Sequence, residues 1–63
     1  MDKEITITAT LTDEQAWNLA QFLKRVCFSD FRNNAQDDDE AYSMIDAAER
    51  VRRALADAGY DPR

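Results

Sequence analysis

The apolar residues Ala41, Met44, Ile45, Ala48, Val51, Leu55 and Ala58 recur at helical spacing through the C-terminal part of the chain. A 3.6-residue period sustained for more than about four turns commits this segment to a helix with one buried stripe. Its start is marked by Asp37 and, three residues later, Glu40, the spacing of a capping box. Its end is marked by Gly59, suited to a left-handed C-cap, with Tyr60 able to fold back and Pro62 closing the chain. Asp46 with Arg50 and Glu49 with Arg53 stand four apart on the outer side and favour the same helix.

A first, shorter helix is predicted from about Asp13. Thr12 can cap the amide of Gln15 while Gln15 reaches back, and Asp13 and Glu14 occupy the turn that the helix dipole favours for acids. Ala16, Leu19, Ala20, Leu23, Val26 and Cys27 form its apolar stripe, with Trp17 and Phe22 on the flanks. Between the helices, Phe28 to Gln36 has no sustained period and is rich in Asn, Ser and Asp, so it reads as a connection, with Phe28 and Phe31 tucked onto the core. Before the first helix, Lys3 to Thr10 alternates: Ile5, Ile7 and Ala9 face one way and Glu4, Thr6, Thr8 and Thr10 the other. That is the period of a half-buried strand. The expected fold class is therefore α+β, one strand followed by two helices, in a single domain spanning residues 1–63. A lone strand leaves both backbone edges unpaired. Three partners satisfy it: a second strand within Phe28 to Gln36, the same strand of a second copy in a homodimer, or the sheet edge of another protein.

Sixty-three residues bury only about 60% of the surface of the unfolded chain, so stability gained by association is expected. The lone Cys27 rules out an internal disulfide and fits a reducing, cytoplasmic setting; its position on the stripe makes it a small buried hydrophobe. The start Met1-Asp2-Lys3-Glu4 lacks an apolar leader core, and no apolar stretch nears the ~20 residues that span a bilayer.

The composition excludes much chemistry. There is no histidine, which removes the commonest general base at neutral pH, and a small helical body offers little enclosure to retune a carboxylate. No catalytic residue and no cofactor are expected. The run Asp37-Asp38-Asp39-Glu40 gathers four acids on a chain of net charge -5. As a cation loop it lacks the alternating ligand spacing and the glycine of an EF-hand, so no metal site is expected. Part of the run serves the helix dipole; the remaining field selects basic partners and repels nucleic acid. The candidate partner-binding residues are Asp30, Asp37, Asp38, Asp39 and Glu40, with Asp13 and Glu14 as a second patch and Trp17 as an aromatic anchor. Tyr42 has the same acidic setting as Trp17.

Two resemblances follow. The opening Ile5-Thr6-Ile7-Thr8-Ala9-Thr10-Leu11-Thr12-Asp13-Glu14 ahead of two helices resembles the ribbon-helix-helix repressors. The resemblance implies a dimeric DNA-binding regulator with Thr6 and Thr8 as base readers; this chain departs from that family in its long connection and acidic charge. The very short, acidic, cysteine-poor build looks like the small phage and mobile-element inhibitors grouped as anti-CRISPR proteins. That resemblance implies a non-enzymatic inhibitor that presents carboxylates in place of phosphates to a basic surface of a CRISPR effector complex. Nucleic-acid mimicry of this kind is the expected function, with no direct contact to nucleic acid or membrane. The ribbon-helix-helix regulator is the alternative, and an accessory subunit that donates its strand to a larger protein is a third reading.

Overall fold

A computed structural model describes residues 3–63, which hold three helices: α1 (Asp13–Arg25), α2 (Phe28–Asn33) and α3 (Asp38–Asp57). Met1 and Asp2, the first half of the start read above for a leader, lie outside the described residues. The described residues contain no strand, which corrects the α+β expectation to an all-helical fold. Residues 3–11 form an irregular arm, exposed throughout. Alternating Ile and Thr favour a strand only where a neighbouring ladder accepts the backbone, and the other described residues form helices, turns and a short C-terminal tail.

α1 starts as its sequence dictates. Thr12 Oγ1 accepts from Gln15 N at 3.1 Å and Thr12 N donates to Gln15 Oε1 at 2.9 Å, a complete capping box. Two residues, Val26 and Cys27, separate α1 from α2. The segment expected to be a connection thus contains a helix of six residues. Asp30 Oδ2 accepts from Cys27 N at 2.8 Å and holds the first turn. Asn34 Nδ2, donating to Asp30 O at 2.8 Å, and Arg32 Nη1, donating to Ala35 O at 3.1 Å, secure the last turn. Fewer than two turns are too short for periodicity to register. Cys27 caps this helix and is exposed, which corrects its reading as a buried hydrophobe.

α3 begins at the expected cap, Asp37 Oδ1 accepting from Glu40 N at 2.8 Å, while Glu40 Oε1 reaches one residue further back, to Gln36 N at 2.9 Å. It ends in a Schellman motif: Gly59 has φ +104, Tyr60 N donates to Leu55 O at 2.8 Å and Gly59 N to Ala56 O at 2.9 Å. Ala16, Ala20 and Leu55 are buried together, with Leu19, Leu23 and Tyr60 packed against them. These contacts, with Asp13 bound to Tyr60, set α1 antiparallel to the C-terminal half of α3. α2 packs against α3 as well. Three of the four buried apolar residues among those described are alanines, so the helices meet on small side chains and bury few large ones. Val51 and Ala58, expected on the buried stripe, are exposed.

Candidate functional site

The first two turns of α3, with α2 beside them, bring aromatic and acidic side chains together. Phe28 and Tyr42 lie with ring centroids 5.6 Å apart and planes tilted by 43°, yet remain 47% and 57% exposed. Asp38 and Asp39 lie four and three residues before Tyr42, so both share its face of the helix. An exposed aromatic pair rimmed by carboxylates has the anatomy of an interface anchor, in which rings supply area and charges set orientation.

The individual acids divide by what they already bind. Asp37 caps α3, Glu40 holds the amide of Gln36, and Asp30 holds the amide of Cys27. Asp38 Oδ1 accepts from Arg32 Nε at 2.7 Å in an exposed ion pair. Asp39 has no hydrogen-bond or ion-pair partner among the described residues. Most of the acidic run is therefore engaged in local structure, and Asp39 is the carboxylate left free to meet another molecule. The run still forms a negative pole, because Arg32 is the one basic side chain paired with it among the described residues.

Asp13 and Glu14 stand at the opposite end of the molecule. Tyr60, just past the end of α3, donates its O–H to Asp13 Oδ1 at 2.7 Å, and the 20 residues of α3 separate that point from Asp37 by about 30 Å. Trp17 belongs to that far end, with its ring edge-on to Tyr60 at 5.1 Å. The eight candidate residues are thus not one surface: α2 and the start of α3 carry Asp30 and Asp37 to Glu40, whereas Asp13 and Trp17 contact Tyr60 in the tail, with Glu14 exposed beside them. Phe28 had no signal in the sequence, because its place beside Tyr42 depends on the short helix.

The shifted ionisations lie at that far end and in the C-terminal half of α3, where Glu49 and Arg52 line a cleft with Leu23, Lys24 and Pro62. The hydrogen bond to Asp13 raises the Tyr60 phenol above its ordinary value, with burial adding to it. The hydrogen bond from Arg52 lowers Glu49, although partial burial opposes it. Arg52 Nε donates to Glu49 Oε2 at 2.9 Å, and Arg53 approaches the same carboxylate at 3.7 Å. Of the two pairs expected on this helix, Glu49 with Arg53 forms and Asp46 with Arg50 does not, among the described residues. The described residues hold no group of three or more His, Cys, Asp or Glu side chains placed to bind a metal ion, and no helix among them is long and apolar enough to cross a membrane.

The chain belongs to a family of unknown function, DUF7706, whose model matches residues 1–63. No curated protein and no solved structure matches it.

Proposed function

We propose that this chain is a non-enzymatic protein-binding module that seats its acidic and aromatic end on the basic, nucleic-acid-binding surface of a partner. The specific form we favour is an inhibitor that keeps DNA from a CRISPR effector complex. The observation that carries this reading is the exposed Phe28 and Tyr42 pair beside Asp39, whose carboxylate has no partner within the described chain. Rings of this kind gain area by burial, and carboxylates beside them replace phosphates against Lys and Arg. Complementary charge makes such binding fast and sensitive to salt.

The test is capture of an effector complex by tagged protein at about 50 and about 500 mM salt, a range over which exposed charges pass from weakly to strongly screened. Reversing Asp38, Asp39 and Glu40 together also removes the Arg32 pair and the Gln36 bond, so the cleaner variant is Asp39→Lys with Tyr42→Ser. Capture that fades with salt and is lost in this variant, at unchanged helicity, supports the reading. Equal capture by the variant removes it.

A further inference from the structure

The chain exposes more surface than a folded protein of its mass requires. Its accessible area is 5518 Å², whereas a compact monomer of 7.2 kDa exposes about 4,100 Å². The excess is roughly 1,400 Å² per chain, and two chains burying it together would form an interface of roughly 2,800 Å², within the size class of obligate homodimers. Much of it comes from the arm, where Ile5 and Ile7 are 79% and 76% exposed. Among the described residues, 3–11 make no backbone to backbone hydrogen bond.

A receptor for such an arm lies on the same molecule. Between α1 and α2 an open groove has Phe22 and Val26 as its apolar part, the carboxamides of Asn18, Gln21 and Asn34 along it, and the opposite charges Arg25 and Asp30. We propose that the arm of one copy lies in this groove of a second copy, the two copies exchanging arms about a two-fold axis.

Carboxamides both donate and accept, so they match the unpaired N–H and C=O groups of an extended segment. Ile5 and Ile7, two apart, project to one side of that segment and meet Phe22 and Val26. Lys3 and Glu4 carry the charges complementary to Asp30 and Arg25. Exchange between copies is favoured over return of the arm to its own groove by the start of α1. Thr12 leaves the helix with φ -70 and ψ 163, and its amide and hydroxyl are both held by Gln15. Return of the arm along its own helix needs a chain reversal immediately before that capping box. Exchange leaves it intact.

Sedimentation of the full chain across the micromolar range tests the proposal. The expected species is a dimer of twice 7.2 kDa. Ile5→Asp with Ile7→Asp in the arm, or Phe22→Glu in the groove, weakens self-association by at least about tenfold, since each places an unpaired charge in an apolar contact. All three side chains are well exposed in the single chain, so circular dichroism should register unchanged helices. Glu4→Arg and Arg25→Glu each weaken the dimer, and the double variant recovers it. A monomer throughout the range overturns the proposal, whether or not its arm is protected from exchange. So does a dimer that ignores both the arm and groove variants. Neither outcome touches the partner-binding reading, which rests on Phe28, Tyr42 and Asp39.

Discussion

Replacing Gly59 by alanine isolates how the end of α3 is held. At φ +104 an added Cβ meets no atom within 4 Å, so any cost is conformational rather than a clash. The left-handed region costs an L-residue about 1 to 2 kcal/mol, and φ here lies beyond its usual minimum, toward the upper end of that range. Loss of glycine's freedom in the unfolded chain returns about 0.4 to 1 kcal/mol. The net expectation is a loss of about 1 kcal/mol, or about 4 to 8 °C in melting temperature for a chain of this size. Thermal melting followed by far-ultraviolet circular dichroism measures it. Tyr60 should also loosen on Trp17, and near-ultraviolet dichroism reports that contact. The synthetic variant with D-alanine at position 59, for which positive φ is the favoured side, should match or exceed the parent. A Gly59→Ala chain that melts within about 1 °C of the parent refutes the reasoning, because it would mean that the Schellman turn does not hold this end.

Thr12→Ala should cost about 1 kcal/mol through loss of the capping box, and Thr12→Ser should retain most of it; urea unfolding compares the two. The raised phenol of Tyr60 stabilises the folded state through its neutral form. That contribution is complete below the unfolded phenol value near about 10 and disappears as pH rises through the higher folded value. Tyr60→Phe should therefore flatten the alkaline fall in melting temperature. Glu49, lowered by the hydrogen bond from Arg52, acts in the opposite window: its contribution is present above the ordinary value of 4.5 and is lost as pH falls through the folded value. Glu49→Gln should remove that acid-dependent component, read as melting temperature against pH below neutrality.

Both long helices were legible because their signals are local. Thr12 with Gln15, Asp37 with Glu40 and Gly59 with Tyr60 mark their own ends; the first and last do in the structure what their spacing implies, while Asp37 caps Glu40 N and Glu40 reaches past it to Gln36 N. What was not legible depends on partners distant in sequence. The alternation from Lys3 to Thr10 describes a strand only if a ladder exists to receive it, and no such ladder occurs among the described residues. α2 escaped because six residues cannot display a helical period, and its capping acid, Asp30, reads equally well as part of a charged patch. The same ambiguity governs the site. Asp37, Asp38 and Glu40 look alike in sequence to Asp39, and only the contacts separate three carboxylates with local partners from one without. Trp17, an anchor candidate on residue type, packs its ring edge-on to Tyr60 and stays 40% exposed. Phe28, expected to tuck onto the core, is half exposed beside Tyr42.

The most direct measurement is the fluorescence anisotropy of labelled duplex DNA held by a CRISPR effector complex, titrated with this chain and with the Asp39→Lys, Tyr42→Ser variant. Under nucleic-acid mimicry the parent chain releases the DNA at low salt, less so at high salt, and the variant does not. DNA that stays bound at saturating chain, equal release by parent and variant, or a direct rise in anisotropy when chain and DNA are mixed alone would each contradict it.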